Sequence, residues 1–341
     1  MLWIAVTAAA LWGLGAVLGL PVRLRLLMLS LLYLGVLLAL LLLPEVHGLR
    51  GAIGVRAGGW LWLGGIFATV WAYARWVSTM KERAQPAPGD SPGQERQREL
   101  ERNARHIVLR EIGGPGQKRL KQARVLVIGA GGLGAPLLQY LAAAGVGTIG
   151  VIDDDVVENS NLQRQVIHKD AAIGMPKVFS AQREMEAQNP FVTVRPYNRR
   201  LDDAIARELF AEYDLILDGT DNFETRYLVN RTCVALEKPL IAAALSQWEG
   251  QISTYDPARG APCYQCIFPA APAPGLAPSC AEAGVLGPLP GVVGAMMAVE
   301  AAKEITGAGE GLRGRMVIYD ALYGENRVMK LKPRPDCPIC S

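Results

Sequence analysis

The chain reads as an α/β protein, a mostly parallel sheet with helices on both faces, preceded by a membrane segment. Three observations predict this. Short apolar runs at Val125–Ile128, Thr148–Ile152 and Asp214–Asp218 alternate with stretches of helical periodicity, the pattern of buried parallel strands joined by crossover helices. The first run leads straight into a glycine-rich turn. The hydrophobic content of 50% is high for a soluble chain, and the excess sits in the first 80 residues.

At 341 residues there is room for one large or two ordinary domains. A formal net charge of +3, with scattered basic residues and no Lys/Arg block, gives no basis for nucleic-acid binding. Six cysteines are few for this length, and four of them form two CxxC pairs, which favours metal over a secreted disulfide framework.

Leu2–Leu20 is an uncharged apolar run holding Trp3 and Trp12. Pro21-Val-Arg-Leu-Arg25 interrupts it before the leucine-dominated run Leu26–Leu43, and a polar connection with Arg50 and Arg56 leads to a third run, Gly59–Val77. Each is about 18–20 residues, roughly what crosses a bilayer core. Two to three transmembrane helices are expected, at about 2–20, 26–43 and 59–77; in the two-span alternative the third lies on the surface. A signal peptide does not suit the first run, which lacks a basic n-region and is followed by a second full-length run. A buried core helix does not suit Leu26–Leu43, which has no polar face. With three spans, Arg23 and Arg25 share a side with Arg75, Lys81 and Arg83, so the positive-inside rule puts the following domain in the cytoplasm. The expectation is a multi-pass protein of the cytoplasmic (inner) membrane. Gln85–Gln94 has linker composition and Glu95–Arg105 reads as a solvated helix. The predicted organisation is 1–80 membrane segment, 81–100 linker and charged helix, 101–341 soluble domain.

In Arg124-Val-Leu-Val-Ile-Gly-Ala-Gly-Gly-Leu-Gly134, Gly129, Gly131 and Gly134 have the GxGxxG spacing between a strand and a helix. Glycine permits the tight turn and lets backbone N–H groups at a helix start reach a phosphate. Asp153, ending the next apolar run, stands where an acidic residue meets a ribose. The turn leaves the nucleotide unspecified and by itself suggests a dehydrogenase.

Asn159-Ser-Asn-Leu-Gln-Arg-Gln165 follows at a strand's carboxyl end, where open α/β sheets bind ligands. Lys177 opens the helical stretch Val178–Gln188, an unfavourable place for a cation unless an anion faces it; the plain alternative is an exposed surface lysine. Val192–Tyr197 alternates like an edge strand and Ala204–Tyr213 reads as a helix. After Asp214–Asp218, Gly219-Thr-Asp-Asn222 delivers Asp221 and Asn222 to the same sheet edge. Asp221 suits a magnesium ion, a ribose or the N-cap of the helix beginning near Phe223. Pro239–Ala244 is a further strand, and Gln251–Tyr255 alternates as an antiparallel strand does.

Cys263-Tyr-Gln-Cys266 and Cys337-Pro-Ile-Cys340 match a four-thiolate structural zinc site that clips the chain's last residues back onto the domain. The rival, a pair of redox dithiols, lacks the strand-to-helix setting of such motifs. Cys280 stands alone in an Ala/Pro-rich stretch, a candidate thiol nucleophile with no histidine near it in sequence, and Cys233 reads as a small core residue.

Gly129-Ala-Gly-Gly-Leu-Gly134, Asn161-Leu-Gln-Arg-Gln165, Gly174-Met-Pro-Lys177, Asp218-Gly-Thr-Asp-Asn222, the paired CxxC motifs and Gly284-Val-Leu-Gly-Pro-Leu-Pro-Gly291 together closely resemble the MoeB/ThiF/HesA adenylyltransferases, relatives of ubiquitin-activating enzymes. The resemblance covers about Arg102 to Cys340. It implies a Rossmann-like sheet with a C-terminal antiparallel part, and an enzyme that uses Mg²⁺ and ATP to adenylate the C-terminal glycine carboxylate of a ubiquitin-like sulfur carrier ending in diglycine, releasing pyrophosphate. It further implies that Gly129, Gly131, Gly132 and Gly134 line the phosphates, that Asp153 holds the ribose, and that Asn161, Gln165 and Asn222 contact ATP. Arg164 and Lys177 would act on the triphosphate and Asp221 on Mg²⁺ and catalysis. Arg105 matches an arginine that such proteins extend into the partner subunit's site, which implies a homodimer. Cys280 matches a cysteine that only some relatives use. Sulfur would come from a separate donor protein.

The carboxylate is its own nucleophile, so positioning and positive charge suffice, and that is the inventory found. The function expected is adenylation of a molybdopterin-synthase-type carrier, with the thiamine thiazole carrier or another ubiquitin-like substrate as alternative. An NAD-dependent oxidoreductase and a silent membrane scaffold are the readings of other classes. The membrane segment is an addition to this family's pattern.

Overall fold

The computed structural model describes residues 2–18, 20–42, 57–84, 92–273 and 283–341. The chain divides into two compact units, Met1–Asp90 and Ser91–Ser341.

Among its described residues the first unit has three helices, α1 (Leu2–Val17), α2 (Val22–Leu42) and α3 (Ala57–Ala84). Among the described residues one helix is long and apolar enough to cross a membrane, Leu24–Leu42 within α2, with mean hydropathy 2.4. This corrects the expectation of several spans. At 16 residues α1 falls short of the hydrocarbon thickness. The 28 residues of α3 are long enough, but Thr69, Arg75, Ser78, Thr79 and the charged end Lys81-Glu-Arg83 dilute its apolar character. The connection with Arg50 and Arg56 lies outside the described residues.

The second unit opens with α4 (Pro92–Ile107) and α5 (Gly113–Gln122). There follow β1 (Arg124–Ile128), α6 (Gly134–Ala143), β2 (Thr148–Ile152), α7 (Lys177–Gln188), β3 (Thr193–Tyr197), α8 (Asp203–Ala211), β4 (Leu215–Asp218), α9 (Phe223–Ala235), β5 (Leu240–Leu245) and β6 (Glu249–Tyr255). A short helix, α10 (Tyr264–Ile267), the long α11 (Pro288–Thr306), β7 (Arg315–Asp320) and β8 (Glu325–Lys330) complete it. Among the described residues the eight strands form one sheet in the order β3-β2-β1-β4-β5-β6-β7-β8. Pairing is parallel from β3 through β5 and antiparallel from β5 through β8. Alternate residues of a strand face opposite ways, and both faces of β1 are covered. Val125 and Val127 pack with α6, α7 and α11, while Leu126 and Ile128 pack with α8 and α9. That double burial is why the first strand is uninterruptedly apolar.

β7, β8 and the full extent of α11 were not expected. Every residue of β8 is exposed, so no alternation marks it. Pro288, Pro290 and Gly291 obscure the start of α11, although proline is at home in a first helical turn.

Helix α6 crosses β1 closely. A Cβ at Gly134 would overlap the carbonyl of Gly129, so the motif's last glycine serves helix–turn packing. Gly134→Ala is expected to cost at least about 2 kcal/mol, an overpacking penalty, read as a lower melting temperature of the full chain. An unchanged melting temperature would disprove the close approach.

Candidate functional site

Parallel strands carry the loops after β1, β2 and β4 to one edge, where a cleft of ≈ 850 Å³ opens. The turn after β1 is possible because Gly129 takes φ +93°, the left-handed region that favours glycine. Gly131 and Gly132 line the cleft with Gly129, while Gly134 stands behind them at the start of α6.

Asp153 follows β2 and lines the cleft. Its carboxylate accepts the Ala130 N–H at 2.7 Å and the Asp155 N–H at 2.8 Å, fastening the turn to the second strand. Burial raises its pKa, while Lys177 and the two amides pull it back down.

Asn161 ends a 3₁₀ turn, and Arg164 and Gln165 line the cleft beside it. Arg164 Nη1 donates to the Ser160 carbonyl at 3.1 Å. Gln165 is 3% exposed, and among the described residues its Oε1 has no hydrogen-bond partner. An unpaired buried acceptor costs about 1–3 kcal/mol, so this oxygen suits a donor supplied by a ligand.

Lys177 is buried at the start of α7, which excludes the plain surface lysine. Residues 155–157 run antiparallel to 174–177, and the Lys177 N–H donates to the Asp155 carbonyl. Its Nζ lies 2.7 Å from Asp155 Oδ2. A cation at a helix N-terminus opposes the helix dipole; here a well-exposed carboxylate compensates, in a place an anionic ligand can take.

β4 ends in Asp218, which is buried and accepts from the Thr220 N–H at 2.9 Å and Oγ1–H at 2.7 Å. Burial raises the Asp218 pKa and the Arg226 guanidinium opposes it. Arg226, on α9, donates to the Thr220 and Ala243 carbonyls and so holds the turn from beneath. Asn222, not Asp221, caps α9, accepting from the Thr225 N–H at 2.9 Å. Asp221 is therefore left facing the cleft. Sequence reasoning missed Asp218 and Arg226 as site builders; the signal was a carboxylate closing a buried strand just before Gly-Thr.

Arg105 is exposed on α4 and does not line this cleft. Asn103, beside it, is buried and donates to the Glu99 carbonyl. Cys280 lies outside the described residues. Cys233, on the buried face of α9, packs in the core, where burial pushes its thiol pKa well up, as befits an inert packing residue.

The sulfurs of Cys263, Cys266, Cys337 and Cys340 lie within 4.8 Å of one another. Cys263 Sγ is 3.8 Å from Cys266 Sγ and 3.6 Å from Cys337 Sγ, and Cys266 Sγ is 3.4 Å from Cys340 Sγ. Tetrahedral Zn²⁺ with bonds of about 2.3 Å sets sulfurs about 3.8 Å apart, so the donor set could hold zinc. Asn230 of α9 donates to Cys263 Sγ at 3.8 Å and accepts from the Tyr264 N–H at 2.8 Å. Tyr264 and Phe268, next to the first cysteine pair, line the cleft.

The chain is similar to a sulfur carrier protein adenylyltransferase of Thermus thermophilus, 48% identical over 71% of this chain and 91% of that protein. It is 49% identical to a SAMP-activating enzyme E1 of Haloferax volcanii, over 71% of this chain and 89% of that one. Among solved structures, Escherichia coli MccB with ATP superposes with a TM-score of 0.58 at 24% identity, covering 67% of this chain and 68% of MccB, a likeness of fold. The ThiF family model matches residues 103–339, the sheet, its cleft and the first three of the four clustered cysteines included. The chain belongs to the ThiF family.

Proposed function

We propose that this protein uses ATP to adenylate the C-terminal glycine carboxylate of a ubiquitin-like sulfur carrier, releasing pyrophosphate. One observation carries the reading: the cleft joins a glycine turn to Lys177, Arg164 and Asp221, charges suited to a triphosphate and its metal. The unpaired Gln165 oxygen fits a bound nucleotide.

The carrier's carboxylate oxygen attacks the α-phosphorus, forming the C–O–P bond as the bond to the β-phosphate oxygen breaks and its electrons leave on pyrophosphate. Lys177 and Arg164 stabilise the negative charge that grows on the α-phosphoryl oxygens and on the leaving group. Asp153 receives the ribose hydroxyls, Asn161, Gln165 and Asn222 orient the nucleotide, and Asp221 holds Mg²⁺, which supplies charge neutralisation when bound. No protein nucleophile is needed, so Cys280 has no part in this step. The carrier is of the molybdopterin-synthase small-subunit type, with the thiazole carrier as the alternative, and sulfur then arrives from a separate donor. Arg105, absent from its own cleft, reaches the partner's cleft in a homodimer. The four cysteines hold a structural zinc that ties the C-terminus to α10. The Leu24–Leu42 helix attaches the enzyme to the cytoplasmic membrane, with the ThiF domain in the cytoplasm.

Carrier-dependent exchange of labelled pyrophosphate into ATP tests the reaction. Lys177→Ala and Asp221→Ala are each expected to lower the rate on the order of 10²-fold or more. Mixing Arg105→Ala with Lys177→Ala subunits should restore part of it, because one cleft in the mixed dimer is intact. Absence of exchange with every diglycine-ended carrier rejects the function; absence of restoration rejects the shared site.

The full-length protein should also carry about one zinc per chain, and Cys337→Ser should remove it and lower the melting temperature. Metal-free wild-type protein would refute the clip. A C-terminal reporter should be active only in the cytoplasm, and an exported reporter overturns the topology.

A further inference from the structure

One of the chain's three histidines is sealed beneath the nucleotide cleft and has no part in the chemistry above. His168 is 4% exposed. Its Nε2 lies 2.9 Å from the Ala130 carbonyl oxygen and its Nδ1 3.0 Å from Ser180 Oγ. A carbonyl only accepts, so Nε2 carries the proton, and in the neutral ring Nδ1 accepts from the Ser180 hydroxyl. Burial lowers the ring's pKa and Lys177 lowers it further; the Ala130 bond, Asp153 and Glu184 oppose this.

Ala130 stands between Gly129 and Gly131 in the turn. Its N–H is held by Asp153 and its carbonyl by His168. In a trans peptide plane the C=O and the next N–H point in opposite directions. With the Ala130 carbonyl turned to the buried ring, the Gly131 N–H is turned away from it, and Gly131 lines the cleft. A peptide bordered by glycine is the one most easily rotated, so it is the one that needs holding. Ser180 lies on α7 three residues after Lys177, so the same ring joins the turn to the helix that presents the lysine.

We propose that His168 is a positioning residue for the nucleotide's phosphates: it fixes the peptide between Ala130 and Gly131 so that the Gly131 amide faces them, and couples that peptide to the Lys177 helix. The role rests on the adenylation reading. A purely structural histidine predicts lost stability alone, whereas a positioning one predicts weakened ATP use by protein that remains folded.

The test uses the full chain in detergent, with His168→Leu, His168→Gln and Ser180→Ala, measuring carrier-dependent pyrophosphate exchange, melting temperature and the ¹⁵N shifts of the ring. His168→Leu is expected to raise the KM for ATP on the order of tenfold or more, with a smaller change in kcat. His168→Gln, whose amide offers both a donor and an acceptor, should recover most of that loss. The wild-type spectrum should show a bare Nδ1 and a protonated Nε2. A folded His168→Leu with wild-type KM overturns the proposal, as does a proton on Nδ1. If His168→Leu does not fold, Ser180→Ala decides: a roughly threefold rise in KM supports the role and an unchanged KM refutes it. Wild-type protein that fails to use ATP removes the adenylation reading and this role together; wild-type exchange beside unaffected variants removes only the role of His168.

Discussion

Everything at the cleft depends on how closely α6 approaches the end of β1. The helix can begin there only because Gly134 has no side chain to strike the Gly129 carbonyl. That approach compresses the connection into a turn whose backbone amides stand at a helix start, a site of partial positive charge. Asp153 then binds the turn to β2 through the Ala130 amide. The cost falls on the carboxylate, whose pKa burial raises, and is offset in part by Lys177. The cleft is thus a set of mutually compensating charges, with Asp155 balancing the lysine in turn.

Much of the second unit was legible because β1, β2 and β4 are covered on both faces, so their apolar runs stood out and their order followed from crossover geometry. Lys177 was legible for an electrostatic reason, a cation at the wrong end of a helix. The cysteine pairs were legible from spacing, since ligands to one ion must converge. Other parts left no local mark. β8 is solvated on both sides and pairs through backbone groups that every sequence offers. The exchange of roles between Asp221 and Asn222 turns on which of two adjacent side chains meets the Thr225 amide, a matter of backbone angle. His168 belongs to the site through a carbonyl 38 residues away, which no periodicity encodes.

The N-terminal unit shows the opposite failure. Its apolar runs were plain, yet hydrophobicity without helix boundaries overstated how much of them can span a bilayer. α1 stops at Val17, while Thr69 and Arg75 of α3 fall inside the third apolar run, Gly59–Val77, and its charged end follows directly.

The four-cysteine cluster reaches beyond local geometry. Cys263 and Cys337 are 74 residues apart, and the stretch between them holds α10, α11, β7 and β8. Once the thiolates share an ion, that stretch is a closed ring. By the chain-entropy account such a ring removes about 4 kcal/mol of freedom from the unfolded chain. With an ion bound, the antiparallel half of the sheet would also tolerate a break: a backbone cut between Cys266 and Cys337 would leave two pieces that the ion fastens together.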